Sequence, residues 1–137
     1  MAPTSTSSVT DTKHLAGACT SPTRFGISGA PNEVHAQSTG ASVWGLALGP
    51  SGIPPRAGDE IKIVWRMTGI GPLTVTVTAP DGQNHPLVFG PDPHGTSNYR
   101  RPGDEWGTGI RFTSPGCWHI HLARNHATGD AWLDVAA

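Results

Sequence analysis

Punctuation and periodicity together predict an all-β domain. Glycine (18 residues) and proline (13 residues) make up nearly a quarter of the 137-residue chain, about twice the usual share. That is too interrupted for a helical bundle, yet short of low complexity. Period-two alternation of apolar residues is the strongest local signal, and no segment carries a helical period of useful length. Some eight short strands, with Cys19 and Cys117 near the two ends of the candidate domain, fit an antiparallel β-sandwich of immunoglobulin-like type, with a cupredoxin-like arrangement second.

The expected strands run in order. Arg24 to Ser28 and Ser42 to Leu48 are short runs between turn residues. Glu60 to Met67 sets Ile61, Ile63, Trp65 and Met67 on one face and Lys62, Val64 and Arg66 on the other, as a strand with one buried side requires. Leu73 to Thr78 sets Leu73, Val75 and Val77 against three threonines, and the Thr-Gly-Ile-Gly-Pro before it is turn chemistry, so these two runs are expected to form a hairpin. Pro86 to Phe89, Thr108 to Phe112, Cys117 to Leu122 and Ala131 to Val135 complete the set. Trp44, Trp65, Trp118 and Trp132 fall in separate strands and are expected between the sheets. Trp106 falls in the glycine-rich run Pro102 to Gly109, read as a loop. There it either caps the sandwich or offers an aromatic ring to a partner, which makes Asp104, Glu105 and Trp106 candidate binding-loop residues. Neighbouring carboxylates on an extended segment point apart, so Asp104 is expected to brace its turn and Glu105 to meet Arg100, Arg101 or Arg111.

Residues 1–17 are rich in Ser, Thr and Pro and poor in large apolar residues. They are expected to form a disordered polar tail ahead of a single domain at 18–137. The tail has neither the charged start nor the apolar stretch of a signal peptide. It reads as the start of a mature secreted or cell-envelope protein whose targeting segment has been replaced by Met1. A Cys19–Cys117 disulfide would close a loop of about 100 residues, worth about 4.7 kcal/mol on chain-entropy grounds, and would place the protein outside a reducing cytosol. The alternative is two buried free thiols. Leu15-Ala16-Gly17-Ala18-Cys19 is not a lipid-attachment box, because no apolar run precedes it.

Nine basic residues against ten acidic ones give a net charge of −1, and charged residues are 14% of the chain. That leaves no basic field for nucleic acid or anionic lipid. No apolar run is long enough to span a membrane.

The segment that can carry chemistry is Pro115 to His126. As a strand it puts Trp118, Ile120 and Leu122 on the core face and Cys117, His119 and His121 on the other. Two imidazoles at i and i+2 point the same way at a fixed spacing, which suits Cu(II) or Zn(II). A third ligand is expected from His126 in the following loop, from His94, or from His85. The competing reading is of two solvated histidines on an outer sheet face.

The run Pro-Gly-Cys-Trp-x-Ile, preceded by a Gly-rich aspartate-containing loop and by Cys19 in a polar N-terminal region, resembles small uncharacterised bacterial secreted proteins and lipoproteins of β-sandwich type. The likeness covers about residues 19–137 and implies an extracytoplasmic location. His119-Ile120-His121 with His126 and Gly129 also resembles the copper-ligand strand and loop of multicopper oxidases and cupredoxins. Ile120 stands where that pattern has its cysteine, and Asp130 follows Gly129 where it has Met or Leu, so the resemblance does not extend to a blue-copper thiolate site.

No Gly-x-Ser-x-Gly elbow, His-Glu-x-x-His or phosphate-cradling loop is present. The expected function is a non-catalytic secreted or envelope module acting in binding or assembly, with a protein or envelope partner. The alternative is a copper- or zinc-binding protein using His119 and His121 with His94 or His126. Self-association through an edge strand such as Arg24 to Ser28 is a further expectation.

Overall fold

A computed structural model describes residues 18–49, 53–95 and 97–137, so the tail expected at 1–17 lies outside the described residues. Ten strands form: β1 (Glu33–His35), β2 (Gln37–Thr39), β3 (Val43–Leu48), β4 (Glu60–Met67), β5 (Ile70–Thr78), β6 (Asn84–His85), β7 (Phe89–His94), β8 (Asp104–Arg111), β9 (Gly116–Asn125) and β10 (Ala127–Val135). They make two five-stranded sheets, ordered β1-β3-β4-β8-β7 and β2-β10-β9-β5-β6. Every pairing between these strands is antiparallel. Taking β3, β4, β8 and β7 as strands A, B, E and D, and β5, β9 and β10 as C, F and G, reproduces the immunoglobulin order.

The core lies between the inner faces. Ile61, Ile63, Trp65 and Met67 of β4 meet Trp118, Ile120 and Leu122 of β9 and Ala131, Leu133 and Val135 of β10 in one buried cluster. Trp65 Nε1 donates to Thr108 Oγ1 (3.0 Å), which donates to the Ile63 carbonyl (2.9 Å). These two buried side chains are therefore satisfied rather than stranded. Trp118 sits edge-on to Phe112, ring centroids 5.2 Å apart. The disulfide joins Cys19 to Cys117, and so ties the first described residues to the outward side of β9.

Several expectations are corrected. β4 and β5 are not a hairpin: β4 pairs with β3 and β8, while β5 pairs with β9 and β6. The chain arches from one sheet to the other at Thr68-Gly69, with Gly69 at φ 122. Glycine there serves an arch as well as a turn, and the two apolar faces meet across the sandwich instead of side by side. Arg24 to Ser28 is not a strand; it is mostly turn, with Phe25 alone bridging Val34. Pro86 to Phe89 is not a strand of its own: β6 ends at His85, Pro86 to Val88 connect, and β7 begins at Phe89.

Asp104, Glu105 and Trp106 do not form a binding loop. They open β8, where Trp106 pairs with Trp65 and is only 6% exposed. The glycines that suggested a loop are instead places where neighbouring side chains lie on the strand. A Cβ at Gly107 would meet the His94 ring at 2.7 Å, and one at Gly109 would run into Phe89. Of the four strand tryptophans, Trp65 and Trp118 are in the core. Trp44 and Trp132 are half-buried on the outer faces, stacked on His35 and His119.

Candidate metal centre

The β9–β10 hairpin builds the site. Its turn is Asn125-His126, with His126 at φ 60, and its register places His121 opposite Asp130 and His119 opposite Trp132. Alternation then puts His119, His121, Asp130 and Trp132 on one outward face in the middle of the sheet, flanked by Thr76 and Thr78 of β5 and by Gln37 of β2.

His119 Nε2 and His121 Nδ1 each lie 2.7 Å from one oxygen, Asp130 Oδ1. An ionised carboxylate only accepts, so both ring nitrogens donate to it. The three side chains keep 34%, 40% and 28% of their surface, so the group is open to solvent on one side. Partial burial pushes the Asp130 carboxyl up. The hydrogen bonds from His121 and His119 outweigh that and hold it below its usual range. Trp132 lies flat against His119, interplanar angle 2° and centroids 4.7 Å apart, which fixes the ring that carries Nε2.

The donor atoms of His119, His121 and Asp130 all lie within 4.8 Å of one another. A tetrahedral Zn(II) with bonds of about 2.0–2.2 Å separates its ligands by roughly 3.3–3.6 Å. Small side-chain rotations would therefore close the three around an ion. Imidazole and carboxylate are both ordinary ligands of Zn(II), and imidazole suits Cu(II).

The other histidines proposed from the sequence do not join them. His94 lies on β7 in the opposite sheet, where Nδ1 contacts Glu105 Oε2 at 2.9 Å. His126 sits in the hairpin turn, five residues along from His121, which at about 3.3 Å per residue is far beyond ligand distance. His85 packs edge-on against Trp118. The member of the cluster that sequence reasoning passed over as a candidate ligand is Asp130. A two-residue turn at Asn125-His126 makes paired residues sum to a constant position, which sets 130 opposite 121, so the signal was present once the turn was assumed.

Compared with protein-family models, curated proteins and solved structures, the chain matches none.

The remaining candidates, Asp104 and Glu105, stand on β8 in the opposite sheet. Glu105 meets Arg66, His94 and Ser97 rather than Arg100, Arg101 or Arg111. Burial pushes its carboxyl up, and the bonds from Ser97 and His94 with the Arg66 charge bring it below its usual range. Asp104 accepts from Arg124, NH2 to Oδ2 2.8 Å. These are structural contacts of β8.

Proposed function

We propose that the protein is a non-catalytic extracytoplasmic β-sandwich module that binds a divalent copper or zinc ion through His119, His121 and Asp130. The observation that carries this reading is the convergence of two imidazole nitrogens on a single carboxylate oxygen in the middle of an otherwise threonine-rich sheet face. A Cys19–Cys117 disulfide of the kind that persists in oxidising compartments supports the location, and no helix among the described residues is long and apolar enough to cross a membrane. An ion held on an open face leaves coordination positions for a further ligand, so the broader role in binding or assembly is served by the same surface.

Titration with Cu(II) and Zn(II), followed calorimetrically, tests the proposal. Wild type is expected to take up near-stoichiometric metal with submicromolar affinity. The His119→Ala, His121→Ala double variant is expected to lose it, and Asp130→Asn to bind about tenfold more weakly. Equal weak binding by all three would retire the metal centre.

A further inference from the structure

We propose that two copies of this chain share one ion at this site, so that the metal joins them face to face. The inference rests on the metal-binding reading above and deepens it by naming the partner.

The three donors of one copy all stand on one sheet face, whereas Zn(II) in a closed protein site takes four ligands. Beside them in the sheet are Thr76, Thr78 and Gln37, none of which is an imidazole, thiolate or carboxylate ligand. The other described histidines are engaged away from the cluster. His94 meets Glu105 and His35 stacks on Trp44, both in the opposite sheet, while His85 packs on Trp118 and His126 forms the hairpin turn. The shell is therefore completed from the open side of the face, by another molecule.

The charge on the face selects a second copy. The outward residues of β5, β9 and β10 include Asp130 and Asp134 but no Lys or Arg. Asp134 accepts from the Cys19 backbone N–H at the margin, so Asp130 is the carboxylate at the ion. Two copies bring two such carboxylates, and one divalent cation balances them. Without the ion, the same two faces bring only like charge together.

The geometry matches as well. Thr74 and Thr76 beside the histidines are short and exposed, so a second sheet can approach. Sheets stack about 10 Å apart, which leaves an ion midway about 5 Å from each, within reach of a histidine side chain. A two-fold axis running across the strands at the level of Ile120 sets His119 opposite the copy's His121, and places four imidazoles around one ion in an isologous contact. The same axis sets Cys117, with Cys19 bonded to it, opposite the copy's Ala123. The disulfide of one copy thus meets a small side chain of the other, and the two disulfides do not collide.

The experiment follows mass by sedimentation velocity and ion content by native mass spectrometry as Zn(II) is added to the chelator-treated full chain with its disulfide intact. Wild type is expected to be monomeric without metal. At half an equivalent its mass is expected to double, with one ion per two chains. At full loading each chain holds an ion of its own and the mass is expected to return to that of the monomer. The His119→Ala, His121→Ala variant is expected to stay monomeric at every addition. If the half-loaded wild type stays monomeric, or if the dimer forms without metal or persists with an ion on every chain, sharing is overturned while the centre stands. If wild type binds no metal, or binds it equally without His119 and His121, the metal centre itself falls.

Discussion

Glu33 is 2% exposed on the outward side of β1, yet it has no lack of donors. Arg101 donates to both oxygens, Nε to Oε2 at 2.7 Å and NH2 to Oε1 at 2.6 Å, and Tyr99 Oη adds a third bond at 2.7 Å. Ser28 donates a fourth. The Arg101 bonds, above all, hold the carboxyl down to about 2 against the opposing effect of burial. The same burial, with Glu33 alongside, pushes the Tyr99 phenol up. Because the folded value lies below the unfolded value of about 4.3, the stabilisation is complete above that pH and is lost as pH falls toward 2. Glu33→Gln is expected to cost about 2 kcal/mol at pH 7 in urea unfolding. The gap from wild type is expected to shrink steadily between pH 4.5 and 2; a constant gap would contradict the assignment.

Among the elements, the arch from β4 to β5 depends on a side chain from β9. Arg124, 4% exposed, donates to the carbonyls of Gly71 (Nε, 2.9 Å) and Met67 (NH1, 2.7 Å), and its guanidinium lies 4.7 Å over the Trp106 ring. One planar cation thus holds the crossover, the start of β8 and the end of the core together. Arg124→Ala would strand two carbonyls and uncover Trp106, and a loss of about 2–4 kcal/mol is expected from the shift in denaturation midpoint. Arg124→Lys is expected to recover little, because it cannot make the forked contact. The legibility of these elements in the sequence follows from what surrounds them. β4 and β9 were readable because Ile61 to Met67 and Trp118 to Leu122 each set an apolar face against a mostly polar one, interrupted by Val64 in β4 and Ala123 in β9. The opening of β8 was not, because its glycines answer to Phe89 and His94 on the neighbouring strand, a contact distant in sequence. Whether Thr68-Gly69 turns back or arches over was equally hidden, since both use the same residues and differ only in which sheet receives β5. In the site, the strand parity of His119 and His121 was legible from alternation. Asp130 was hidden until the hairpin register was known.

For the whole molecule, the disulfide spans a sequence separation of 98 residues, nearly the full domain. Its removal is expected to show as global destabilisation rather than local fraying. A Cys19→Ser, Cys117→Ser variant should lose about 2–5 kcal/mol in equilibrium unfolding, with a single cooperative transition retained. The two sheet faces are unequal at this scale. The outer side of the β4–β8 sheet buries Glu33, Val64, Glu105, Gly107 and Gly109, whereas the outer side of the β9–β5 sheet leaves Thr74 and Thr76 exposed and His119, His121 and Asp130 half-open. The first face still exposes Glu60, Lys62 and Arg111, so the two faces differ in degree.

The margins of the sheets carry a separate consequence. β1 and β2 have three residues each, β6 has two, and β7 carries Pro91 and Pro93, which have no N–H to offer. The border at β5 differs: β6 covers only Val77 and Thr78, so Ile70 to Thr76 have no strand beside them on that side, the kind of row another chain can copy. Strand-by-strand pairing with another chain therefore has a stretch to use on β5. Association on the histidine face would instead be written in side chains and, through the proposed ion, made reversible.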